Sequence, residues 1–325
     1  MDGLQKTDKK LKNLVSKVGN VGEIMKKCIL TVGISASGKT TWAEEYVRIK
    51  KEKGENWLNI NSDEIRVEIF GIKTGSPHFS WNEWRFGWEK EVNERRKISI
   101  QIALTDHHLD GVIISNTNLS PKTRNWLTTV FEEAGWDVSM KLFPIEYEEA
   151  VRRDRGRLNS VGASVIAEQI EKYWDQFGDK YVGNECLPKA VIVDIDGTLA
   201  HVTDRGIYDW TEVKTDRPDI MVCDVVRGLK RQGYKIVITS GRDDVSRYDT
   251  WRWLVAHLGF EPDDLFMRTF KDMRKDAIVK RELFDNFIRS KYNVVLAIDD
   301  RPVVVRLWRS LGIQTLACGL QHKEF

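Results

Sequence analysis

Eight consecutive residues, Gly33-Ile34-Ser35-Ala36-Ser37-Gly38-Lys39-Thr40, satisfy G-x-x-x-x-G-K-[ST] at every fixed position. They follow a short apolar run and open a helical pattern. That spacing suits a phosphate cradle: the glycines let the backbone curl its N–H groups toward phosphate oxygens, and the helix N-terminus adds a favourable dipole. Lys39 would bridge phosphates, Thr40 would hold Mg²⁺, and Ser35, Ala36, Ser37 and Thr41 complete the nucleotide-binding stretch. At the edge of the next expected strand, Asp63 can accept the proton of an attacking hydroxyl, and Arg66, one turn on, can hold an anionic group of that acceptor. A simple helix cap is the competing role for Asp63. The run Arg152-Arg153-Asp154-Arg155-Gly156-Arg157 suits closure over a transferring phosphoryl group, or is a solvated charge run.

A second constellation begins with Val191-Ile192-Val193-Asp194-Ile195-Asp196-Gly197-Thr198. Residues i and i+2 of an extended segment point the same way, so Asp194 and Asp196 are expected to converge and to need a cation such as Mg²⁺. Thr239-Ser240-Gly241-Arg242 and Ala297-Ile298-Asp299-Asp300-Arg301 close later apolar runs. Together these strand ends make a phosphoryl-transfer site: Asp194 as nucleophile, Asp196 as acid and base, Ser240 and Lys280 on the phosphoryl oxygens. Asp299 and Asp300 join Asp194 and Asp196 as expected metal ligands.

The elements that must position these groups alternate in type. Strands are expected at 26–33, 57–60, 111–115 and 137–142 with helices at 38–53 and 121–134. In the second half, strands at 190–195, 234–239, 293–298 and 313–317 alternate with helices at 219–232, 245–258, 274–290 and 302–310. This predicts two α/β domains with parallel sheets and covering helices, in keeping with 325 residues. The glycines and proline of GDKYVGNECLPK set the expected boundary: an extension over 1–24, a P-loop domain over 25–180, a linker over 181–188 and a second domain over 189–325. Trp81, Trp84 and Trp88 fall at helical spacing, which favours a buried face over a platform for nucleobases.

With 51 Lys and Arg against 49 Asp and Glu, bulk charge draws the chain to no polyanion, so nucleic-acid binding must rest on local patches. Arg205, Arg217, Arg242 and Arg247 are candidates for a basic path out of the second site. The start lacks a secretory pattern and no membrane span is apparent, so the expected location is cytoplasmic. Cys28, Cys186, Cys223 and Cys318 are too scattered for a disulfide framework or zinc site.

The order of motifs, with DIDGTLA, TSGR, AIDDR, GVIISNTNL and RGIYDW, resembles the bifunctional phage polynucleotide 5′-kinase/3′-phosphatase family over nearly the whole chain after the extension. The resemblance implies a P-loop kinase domain followed by a haloacid-dehalogenase-type phosphatase. It implies ATP and Mg²⁺ at Lys39 and Thr40, Asp63 as general base on a 5′-hydroxyl, and Arg66 and Thr117 on the acceptor's 3′-phosphate. Arg153 and Arg157 resemble lid arginines, while Arg205 and Arg242 fall on phosphatase positions that contact substrate. The activities implied are 5′-phosphorylation of RNA or DNA ends and removal of 3′-phosphate or 2′,3′-cyclic phosphate, ahead of a ligase, by a homo-oligomer, as a tetramer. Asn116 departs from the family by replacing the aspartate after the central kinase strand. The rival readings are a fused kinase and phosphatase for a small metabolite or nucleotide, and an end-binding module with a decayed kinase.

Overall fold

The computed structural model describes residues 25–157, 159–203, 205–206 and 209–319. The expected extension over 1–24 lies outside them. Two compact units divide the chain between Gln169 and Ile170.

The first unit is built on four parallel strands, β1 (Lys27–Val32), β2 (Trp57–Ile60), β3 (Gly111–Ile114) and β4 (Asp137–Leu142), in the order β2-β3-β1-β4. β3 is buried along its length, as a strand beneath helices on both faces requires. The joining helices are α1 (Lys39–Glu52), α2 (Ser62–Thr74), α3 (Glu89–Thr105), α4 (Pro121–Glu133) and α5 (Tyr147–Arg155), with α6 (Ala163–Phe177) following. Cys28, Leu30, Val112, Ile114, Leu127 and Phe131 form its main core.

The second unit carries five parallel strands: β5 (Lys189–Val193), β8 (Lys235–Asp243), β9 (Asp264–Arg268), β10 (Asn293–Asp299) and β11 (Thr315–Ala317). Their order is β11-β10-β5-β8-β9. A small antiparallel pair, β6 (Ala200–His201) and β7 (Arg217–Pro218), stands apart. The helices are α7 (Ile220–Arg231), α8 (Arg247–Leu258), α9 (Asp276–Leu283) and α10 (Pro302–Ser310). Separate clusters, one around Val191, Val193, Ile238 and Trp253 and one around Ile192, Ala297, Phe284 and Trp308, fill the two faces of this sheet.

Differences from the expected elements have local causes. The expected 274–290 helix leaves α geometry at Leu283 and widens into a π turn over Phe284–Ile288, which buries both end residues. The tryptophans at helical spacing do not form a helix. Trp84 is buried, Trp88 is half-buried and Trp81 is exposed, and they meet edge-on around Phe79 and Phe70. Residues 180 and 181 are already tied to the second unit, through Lys180 Nζ donating to Ser310 O and Tyr181 N–H donating to Leu311 O.

Candidate active sites

β1 delivers its apolar run into the sheet and releases the chain at Gly33, whose N–H donates to Thr117 O at 3.1 Å. The loop then curls through Ala36 (φ 61°) and Gly38 (φ 92°) into α1. Left-handed backbone at two nearby positions is what a phosphate cradle needs to turn its N–H groups inward. Lys39 is buried, and its Nζ donates to Ile34 O at 2.5 Å and Ser37 Oγ at 3.1 Å. Burial lowers its pKa to about 7, with Asp63 acting in the opposite sense and Arg157 adding to the fall. Asp63 and Arg157 therefore share the electrostatic environment of Lys39. Ser35 N–H donates to Gln169 Oε1 at 2.6 Å.

The acceptor side hangs on the end of β2. Asn61, not Asp63, caps α2, accepting from Asp63 N–H at 2.8 Å, while its Nδ2 lies 3.4 Å from Thr40 Oγ1. With the cap filled by Asn61, the Asp63 carboxylate is available for other work. It accepts from Arg66 Nη1 at 2.6 Å, and Arg66 also donates through Nε to Glu89 at 2.8 Å. Asn116 Oδ1 accepts from Ser62 N–H at 2.8 Å, and its buried Nδ2 finds no partner among the described residues. The basic run splits in two. Arg152 is exposed and bound to Glu149; Arg153 also pairs with Glu149 and reaches Gly38, and Arg157 pairs with buried Asp154 at 3.6 Å. Asp154 further accepts from Ser160 Oγ and the Val161 and Gly162 N–H groups, which fixes the turn carrying Arg157.

The second site gathers at the carboxyl ends of β5, β8 and β10. Lys280 of α9 is fully buried, and its Nζ donates to Asp194 Oδ1 at 2.7 Å and Asp299 Oδ2 at 2.9 Å, with Asp276 Oδ2 at 3.5 Å. A lone ammonium could not stay charged there. Burial opposes the charge, but three carboxylates outweigh it and raise the Lys280 pKa well above its usual value. Burial also raises Asp194 and Asp299, and it brings Asp300 to about 6 with help from Asp299. Asp194, Asp299 and Asp300 each offer an oxygen within 4.8 Å of the others. Three hard oxygen donors with excess negative charge suit a divalent cation such as Mg²⁺.

The Asp196 carboxylate is not in that trio, contrary to the expected convergence. β5 ends at Val193, and the chain turns through Gly197 (φ 84°) into a bridge between Asp196 and Ala200, so strand alternation no longer applies. Asp196 is held instead by Arg242, whose Nε and Nη2 donate at 2.9 and 2.8 Å, with Arg205 Nη2 at 3.4 Å. Both arginines also grip buried Asp216. Their side chains are buried, so Arg205 and Arg242 form no outward basic path; Arg217 and Arg247 are exposed. Ser240 is buried beside them, its Oγ accepting from Arg242 N–H. Asp216, Asp276 and Gln169 escaped sequence reasoning. Only Asp276 had a signal, four residues before Lys280 on one helix face.

Comparison with known proteins agrees with this geometry. Residues 188–321 match the model of the polynucleotide kinase PNKP phosphatase domain, and residues 28–179 match an AAA domain. A putative bifunctional polynucleotide kinase/RNA ligase of Autographa californica nuclear polyhedrosis virus is 31% identical over 306 residues, covering 90% of this chain. The chain spans 42% of that relative's length. A chain from the solved structure of a Pnkp1/Rnl/Hen1 complex is 29% identical, covering 94% of this chain and all of that one, at a TM-score of 0.44. The chain thus carries a P-loop domain followed by a phosphatase domain of the haloacid-dehalogenase type, the latter matching the polynucleotide kinase phosphatase model.

Proposed function

We propose that this protein heals nucleic-acid ends: it transfers the ATP γ-phosphoryl group to a 5′-hydroxyl and removes a 3′-phosphate or 2′,3′-cyclic phosphate. The observation that carries the reading is the Asp194–Lys280–Asp299 centre lying inside a match to polynucleotide phosphatase domains, in a chain that also holds a P-loop.

In the first site Asp63 accepts the proton of the 5′-hydroxyl as the O5′–P bond forms and the bond from the γ-phosphorus to the bridging oxygen breaks. Lys39, Arg153 and Arg157 neutralise the phosphate oxygens, and Arg66 and Thr117 orient the acceptor. In the second, an Asp194 oxygen attacks phosphorus and the 3′-oxygen departs with a proton from Asp196. Water, deprotonated by Asp196, then cleaves the aspartyl-phosphate and releases inorganic phosphate. Ser240 and Lys280 hold the phosphoryl oxygens while Arg242 and Arg205 fix Asp196. Thr40 in the first site, and Asp194, Asp299 and Asp300 in the second, would hold Mg²⁺, which when bound would supply charge neutralisation.

The products, a 5′-phosphate and a 3′-hydroxyl, are what a nucleic-acid ligase joins, and a cytoplasmic homo-oligomer acting before such a ligase on RNA or DNA fits this reading. The test is γ-labelled ATP with an oligonucleotide bearing 5′-hydroxyl and 3′-phosphate ends, using wild type, Lys39→Ala and Asp194→Ala. Label at the 5′ end lost only with Lys39→Ala, and 3′-phosphate loss abolished only by Asp194→Ala, support it. No change at either end favours a small-molecule substrate.

A further inference from the structure

Seven residues between β9 and α9, Thr269-Phe270-Lys271-Asp272-Met273-Arg274-Lys275, run from the sheet's carboxyl edge directly into Asp276 and Lys280. The loop is shaped from within. Arg268 sits at its centre, donating through Nε to Gly241 O at 2.9 Å and through Nη1 to Asp272 O at 3.0 Å and Arg274 O at 2.6 Å. Its Nη2 reaches Asp276 at 3.2 Å. From the other side Asp243, which follows the Ser240-Gly241-Arg242 stretch, accepts from Lys271 N–H at 3.1 Å, holding Lys271 at φ 60°. A left-handed lysine persists only where surrounding bonds fix it.

This rigid loop presents apolar groups to water. Met273 is 89% exposed and Phe270 is 54% exposed. The Lys271 ammonium lies 4.8 Å from the Phe270 ring centroid, and no carboxylate pairs with it among the described residues. Asp272 does not cancel that charge, because it is spent on Arg274. An aromatic face beside an unpaired cation, next to phosphatase catalytic groups, matches a nucleobase attached to a phosphodiester. Hydrolysis of a phosphate monoester needs none of these groups.

We infer that loop 269–275 is the platform for the strand leading to the 3′-terminal phosphate, with Phe270 and Met273 against a nucleobase and Lys271 on a backbone phosphate. It supplies the strand contact that buried Arg205 and Arg242 do not, and it rests on the 3′-phosphatase reading above. Its occupant is a single-stranded nucleic-acid end.

The experiment compares kcat/KM on p-nitrophenyl phosphate, a nucleoside 3′-monophosphate and a trinucleotide 3′-phosphate for wild type, the Phe270→Ala/Met273→Ala double variant and Phe270→Trp. Wild type is expected to favour the trinucleotide over the mononucleotide. The double variant is expected to lose that preference ten-fold or more, measured as a ratio to p-nitrophenyl phosphate hydrolysis, chiefly through KM, and Phe270→Trp is expected to keep it. Lys271→Gln is expected to flatten the salt dependence of the trinucleotide reaction. An unchanged ratio in the double variant overturns the inference. Wild type that hydrolyses p-nitrophenyl phosphate but neither nucleotide overturns the 3′-phosphatase reading itself.

Discussion

With its pKa lowered to about 7 by burial, Lys39 is largely neutral at pH 8 in the free protein. Triphosphate brought against it would restore the charge, so nucleotide binding at pH 8 is expected to take up close to one proton. Calorimetry in buffers of different ionisation enthalpy measures this, and Lys39→Met should abolish the uptake. The stability consequence has a definite sign. The folded-state pKa lies below that of an unfolded lysine near 10.4, so the folded state carries the whole cost below pH 7. Stability then rises as pH climbs from about 7 toward 10, because only the unfolded chain keeps its proton. Denaturant midpoints across that range should rise for wild type and flatten for Lys39→Met. At Asn116, an aspartate would keep the acceptor for Ser62 N–H while replacing an amide nitrogen that has no partner among the described residues. Asn116→Asp is therefore expected to raise 5′-kinase kcat several-fold, read with labelled ATP. The loop around Lys39 and the turn after Asp194 were legible in the sequence because each motif spans only a few positions, whereas Lys280 sits in no such motif. Gln169 and Asp216 were not, since their partners lie far away in sequence at Ser35, Arg205 and Arg242 and exist only after folding.

Elements divide along similar lines. β2 and β4 were expected at their observed limits, although both are edge strands of their sheet and β4 is exposed along most of its length. β9 was missed because its apolar run, Leu265-Phe266-Met267, is only three residues long between charged ends. α6 carried a usable signal in Ile166, Ile170 and Tyr173, one buried stripe at helical spacing. The turn after β5 is the most constrained connection. Gly197 is left-handed, and a Cβ there would overlap the Asp300 carboxylate. Gly197→Ala is expected to cost about 1–2 kcal/mol from backbone conformation alone, and to lower 3′-phosphatase activity more than ten-fold by displacing Asp300. Phosphate release and thermal melting measured on the same preparation check both parts, and 5′-kinase activity should stay within two-fold of wild type.

At the scale of the molecule, each unit closes its own parallel sheet and fills its own core. Two calorimetric transitions are therefore expected, with a non-hydrolysable ATP analogue and Mg²⁺ raising only the transition that Lys39→Met leaves insensitive to nucleotide. No helix among the described residues is long and apolar enough to cross a membrane. Within the second sheet, the proposed nucleophile Asp194 directly follows central β5, whereas loop 269–275 hangs from β9, the outermost strand. A margin strand has one neighbour, so the segment leaving it can change length or composition without re-registering the strands that hold the carboxylates. Selection can thus retailor loop 269–275 while the buried carboxylates keep their places, and a loop graft from a relative would be the engineer's version of the same step.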